Sequence, residues 1–205
     1  MIVIGLTGSI GMGKTETARL FMQEGVPVYD ADAEVHRLYD KGGAAVPLIA
    51  AVFPSAVKNG VVERDQLSKI VLQDKAALAR LEAIIHPMVQ ACREDAIKHA
   101  QSKGAELIVL DIPLLFEKGG HSEVDCVVVV SAPHHIQRAR VLQRAGMTED
   151  KLDSILQQQI PDAQKRQRAD YIVRTDKGLE DARGQVRDII QSIKSKSDSR
   201  ADESL

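Results

Sequence analysis

The stretch GSIGMGKT, residues 8–15, constrains this chain more than any other. It fits the spacing G-x-x-x-x-G-K-[ST], follows the apolar, β-branched run MIVIGLT and opens the helical pattern KTETARLFMQEG. Glycines at 8, 11 and 13 let the chain wrap so that backbone N–H groups, Met12 among them, converge on one point. The helix behind them adds its positive end. The result is a cradle for phosphate. Its spacing puts Lys14 within reach of the β- and γ-phosphates of a nucleoside triphosphate and the Thr15 hydroxyl beside Mg²⁺. Glu16 comes next, where a carboxylate would repel phosphate. It is expected to turn outward, and an acid in a first helical turn suits the helix dipole.

The rest of the chain alternates short apolar runs with helical patterns. VPVYD (26–30), ELIVLD (106–111), DCVVVVSAP (125–133) and DYIVR (170–174) read as strands beside the first. Near-continuous apolar strands are covered on both faces, so the expected fold is α/β. It is a three-layer phosphate-loop architecture: a parallel five-stranded sheet with helices on both faces and ligands at the carboxyl ends of the strands. Residues 33–103 carry only helical patterns and are too long for one crossover, which marks an insertion that shapes a second substrate's pocket. His86-Pro87 interrupts them and marks a bend or a new helix start. The polar tail 195–205 lacks apolar periodicity and is expected to fray.

Composition excludes several function classes. A net charge of -2, 3% aromatics and no Trp give neither a basic field nor a stacking platform for nucleic acid. No apolar run approaches membrane-spanning length, and the N-terminus lacks a signal peptide's basic flank. Cys92 and Cys126 stand far apart with no metal-ligand spacing, so they read as buried free thiols in a reducing cytoplasm.

A nucleotide cradle does not state its purpose. The guanine-reading N-K-x-D is absent, and RTDK (174–177) is the nearest look-alike. A kinase needs a cover that excludes water. The segment 137–168 carries Arg138, Arg140, Arg144, Lys151, Lys165, Arg166 and Arg168, and the spacing of Arg140 and Arg144 puts them on one helix face, which either meets phosphate or is a solvated basic face. Asp111 closes a buried strand, where an acid either sits beside magnesium or caps the next element. Asp30 and Asp32 follow the second strand. Either can cap a helix, hold a metal or accept a proton from an attacking hydroxyl, and spacing alone does not separate them. By residue type His86 is more often a core residue than a ligand.

Several segments, GLTGSIGMGKT, VYDADAEVH, LARLEAIIHPMV, LDIPLLFE, VVVVSAPHHIQRARVLQRAGMT and ILQQQIPDAQKRQRADYIV, together resemble the dephospho-CoA kinase family from about residue 3 to 173. The resemblance implies a core over about 1–32, 104–136 and 170–194, a helical CoA-binding part over about 33–103 and a lid over about 137–169. It implies ATP-dependent phosphorylation of the ribose 3′-hydroxyl of dephospho-CoA in the cytoplasm, with ATP, dephospho-CoA and Mg²⁺ as partners. The alternatives are a kinase of another small alcohol or nucleotide, or a nucleotide-binding switch. Oligomeric state is not indicated, and a monomer is compatible with the chain.

Residue by residue, the resemblance makes Asp32 the base and, with Lys14 and Arg140, catalytic. It assigns ATP to Gly8, Gly11, Met12, Gly13, Lys14, Thr15, Glu16 and Arg144. It assigns the acceptor to Thr7, Asp32, His86, Pro113, Leu114, Leu115 and Glu117, beside the Mg²⁺ ligands Thr15 and Asp111 read from the loop and the strand end. Gln159 matches the lid glutamine. The chain departs from the family at Glu16 and at Arg174-Thr175-Asp176-Lys177-Gly178, where the family usually shows Asn followed closely by Gly.

Overall fold

The computed structural model describes residues 1–202. Five strands, β1 (Ile2–Thr7), β2 (Val28–Asp30), β5 (Leu107–Asp111), β6 (Cys126–Ser131) and β7 (Tyr171–Arg174), form one sheet in the order β2-β5-β1-β6-β7. β1 runs parallel to β5 with Ile4 beside Val109, and to β6 with Leu6 beside Val128. β6 in turn runs parallel to β7 with Val130 beside Val173. The expected five-stranded parallel sheet is therefore present.

Side chains of β6 alternate between two cores. Val128 and Val130 pack with Phe21 of α1 (Lys14–Gln23) and with Val186 and Ile189 of α9 (Leu179–Asp202). Val127 and Val129 pack with Leu115, Phe116 and Ile160 on the opposite face. The period of two that lets one strand serve both layers is why a continuous valine run suits this position. Helices α6 (His134–Leu142), α7 (Glu149–Gln157) and α8 (Asp162–Gln167) connect β6 to β7.

By contacts the chain divides into a unit of residues 1–29 with 100–205 and a second unit of residues 30–99, against the expected insertion at 33–103. The second unit contains α2 (Ala31–Tyr39), α3 (Val46–Val52), a hairpin of β3 (Val57–Lys58) and β4 (Val61–Val62), α4 (Arg64–Val71) and most of α5 (Lys75–Ser102). Tyr39, Ile49, Phe53, Leu67 and Ile85 anchor its own core.

Three local expectations are corrected. The second unit is not wholly helical, because Asn59 and Gly60 both adopt positive φ, 54° and 77°. That is the two-residue turn that matches strand twist in a hairpin. Pro87 does not start a new helix, since the 28-residue α5 runs through it. An interior proline costs about 3 kcal/mol or more. Two features offset this here. Leu81, Ile84, Ile85, Met88, Val89 and Cys92 keep one continuous apolar stripe across it. Ala83, whose carbonyl loses its partner, is exposed to water. Finally, α9 continues to Asp202, so the stretch from 195 is helical as far as 202, and 203–205 lie outside the described residues.

Candidate active site

The loop after β1 takes its shape from its glycines. Gly11 and Gly13 sit at φ 78° and 96°, a region side chains rarely adopt. A Cβ on Gly8 would come within 2.8 Å of the Val130 carbonyl oxygen. Gly13 stands at the N-cap of α1 and has no side chain to cap it, so the helix end keeps its N–H groups for a ligand. Lys14 forms an ion pair with Asp111, which closes β5 and is buried. Thr15 is exposed. Glu16 is exposed and pairs with Arg19 at 2.5 Å. A cavity of about 550 Å³ opens beside the loop, with Ser9, Met12, Ser131, Gln137 and Gln159 on its walls.

The segment between β6 and β7 grips this loop. Gln137 donates to the Ile10 carbonyl at 2.8 Å, and Gln159 accepts the Ile10 N–H at 3.1 Å. Arg140 donates twice to Thr175, at 2.8 Å to the hydroxyl and 2.7 Å to the carbonyl. Arg144 does not share its helix face, since α6 ends at Leu142 and Arg144 lies exposed in the following turn. Among the other cations, Arg138 is held by Glu149 and Asp153, and Arg166 by Asp162.

Lys165 is fully buried, contrary to its appearance in a basic surface run. α8 reads DAQKRQ and lies against β6. It has no large apolar side chain, so the alkyl stem of Lys165 covers the sheet. Its ammonium reaches Glu117 at 2.8 Å, and Glu117 also accepts the Ile160 N–H at 2.9 Å. Burial pushes the Glu117 carboxyl up, but Lys165 and the Ile160 N–H outweigh it and hold the carboxyl below its ordinary 4.5.

Three of the residues assigned to the acceptor already have contacts within the protein. Glu117 spends its Oε1 inside the protein. Leu115 is fully buried beneath Gly5. Thr7 is also buried and donates its hydroxyl to the Pro113 carbonyl at 3.0 Å. Pro113 and Leu114 are half-buried. Together these contacts close a ring: Thr7 to Pro113, along the loop to Glu117, across to Ile160, and from neighbouring Gln159 back to Ile10.

A carboxyl depressed on folding adds stability that is complete above pH 4.5 and is lost as pH falls through its lower folded value. Lys165→Met strands Glu117 without its cation and lowers the neutral-pH melting temperature by roughly 5–10 °C. Adding Glu117→Gln removes the stranded charge, restores most of that loss and flattens the decline below pH 4.5. A double variant that melts with the single one would show that the charges do not hold α8.

In the second unit, Asp30 is the N-cap of α2 and accepts the Ala33 N–H at 2.9 Å. Asp32 lies in the first turn and is exposed. His86 is exposed rather than a core residue. The cysteines are free but only half-buried. Burial still pushes the Cys126 thiol up to about 12, which makes it a poor nucleophile.

A parallel sheet whose first strand runs through a glycine cradle into a helix, with an acid closing the neighbouring strand, defines a phosphate-loop kinase fold. The dephospho-CoA kinase family model matches residues 2–181, and the chain belongs to that family. Dephospho-CoA kinase of Rhodopseudomonas palustris (strain BisB18) is 54% identical over 93% of this chain and 94% of its own length. That of Mesorhizobium japonicum is 55% identical over 95% and 98%. The crystal structure of TT1252 from Thermus thermophilus is similar at 31% identity with a TM-score of 0.82, covering 93% of this chain and 96% of that one. No helix among the described residues is long and apolar enough to cross a membrane.

Proposed function

We propose that this enzyme transfers the γ-phosphoryl group of ATP to the ribose 3′-hydroxyl of dephospho-CoA, giving CoA and ADP in the cytoplasm. Family membership supports the reaction, and the cradle of Gly11, Gly13 and Lys14 carries the ATP half. The acceptor oxygen attacks phosphorus as the bond to the ADP oxygen breaks, and the hydroxyl proton passes to the Asp32 carboxylate. Lys14 moves from Asp111 to the phosphates, and Arg140 stabilises charge on the group in transit. Lid residues Gln137 and Gln159 hold the cradle while water is excluded.

The donor set fits Mg²⁺. The described residues contain no cluster of three or more His, Cys, Asp or Glu side chains. Nucleotide-borne Mg²⁺ needs only one or two protein oxygens, and Thr15 and Asp111 supply hard ones. When bound, the ion neutralises phosphate charge.

A coupled assay of ADP release, run with and without dephospho-CoA, tests the reading. The expected result is release that depends on dephospho-CoA. Release that ignores every acceptor would favour a nucleotide switch, and release with another alcohol alone would favour a different kinase.

A further inference from the structure

Thr175 stands in the loop between β7 and α9. It touches three parts of the nucleotide end of the fold at once. Its N–H donates to the Ser131 carbonyl at the end of β6, 3.0 Å away. Its hydroxyl donates to the Met12 carbonyl of the phosphate loop at 2.7 Å. The same hydroxyl and the Thr175 carbonyl accept the two bonds from Arg140. Its Cγ2 also lies 3.2 Å from where a Cβ on Gly13 would sit, so threonine and glycine pack as a pair.

We infer that Thr175 is a positioning residue for the phosphoryl transfer: its hydroxyl relays the position of the phosphate loop to Arg140. The inference rests on the kinase reading and deepens it. A hydroxyl has one proton to donate and lone pairs to accept with. Here the proton goes to Met12 and a lone pair takes Arg140, so one oxygen fixes both. Two of the five guanidinium N–H groups are used this way, which leaves three for a ligand. An arginine side chain gives up much rotamer freedom when it is fixed in one place. Restraining it before ATP arrives lowers what binding must order.

The test compares Thr175→Val, Thr175→Ser, Arg140→Ala and the Thr175→Val/Arg140→Ala double variant in the ADP-release assay with dephospho-CoA. Valine keeps the shape against Gly13 and removes the hydroxyl, whereas serine keeps the hydroxyl. Thr175→Val is expected to lower kcat/KM for ATP about tenfold, and Thr175→Ser to stay within about threefold of the parent. The double variant should be no worse than Arg140→Ala, because the hydroxyl acts through the guanidinium. Equal values for valine and serine would overturn the inference, as would losses that multiply in the double variant. Should valine prevent folding, Thr175→Ala takes its place. If the parent ignores dephospho-CoA, the kinase reading falls. The relay is then decided on the same proteins by the ATP-induced rise in melting temperature, where valine must lose part of the rise that Arg140→Ala loses.

Discussion

Lys14→Ala lowers kcat/KM for ATP by about 10²–10³-fold, the cost of removing one preorganised donor from a developing charge. Its ion pair with buried Asp111 gives the variant a second consequence. The lysine holds its ammonium at the mouth of the cradle with a carboxylate, ready to exchange that partner for phosphate. Alanine leaves the carboxylate of Asp111 short of a cation in a buried place, so the melting temperature falls as well. The two losses separate in Lys14→Ala/Asp111→Asn. There the buried charge is gone and the melting temperature recovers, while use of ATP stays impaired. Unchanged kcat/KM for ATP in Lys14→Ala would contradict the cradle assignment. Recovery of ATP use in the double variant would make the first loss a folding effect.

The parts of this fold that sequence shows are those governed by local rules. The glycine spacing of residues 8–15 dictates a backbone path, and Gly11 and Gly13 adopt the positive φ that path needs. The valine run of β6 dictates a strand covered on both faces. Asn59-Gly60 obeys a local rule too, the two-residue hairpin turn, although helical patterns flank it. Pro87 misled because its local cost is real, and it is a continuous apolar stripe from Leu81 to Cys92 that overrides it.

What sequence does not show at the site is where residues act on each other. Nothing local marks Gln137 as the partner of Ile10, 127 residues away, or Thr175 as the partner of Met12, 163 residues away. Glu117 has the type of an acceptor contact, and only the fold shows that Lys165 and Ile160 claim it. A signal for Lys165 was present, though. A helix that must cover a sheet and offers no large apolar residue has to turn a long polar one inward.

Asp32→Asn is the variant that separates chemistry from architecture in the second unit. Asp30, not Asp32, caps α2, so the helix keeps its N-terminal hydrogen bond to Ala33 when Asp32 changes. Asn matches Asp in shape, and its loss of charge in a first helical turn costs only about 0.3–1 kcal/mol at an exposed site. Folding and ATP affinity should therefore barely move. An amide cannot take the proton of the 3′-hydroxyl, and losing a general base lowers kcat by about 10²–10⁴-fold. Asp30→Ala is the reciprocal case. Removing the cap costs about 0.5–2 kcal/mol of stability, and kcat falls less than tenfold. Near-normal turnover in Asp32→Asn would remove Asp32 as the base. A kcat loss in Asp30→Ala as deep as that in Asp32→Asn would move the chemistry to the capping acid, or show that the helix start and not its carboxylate is what the reaction requires.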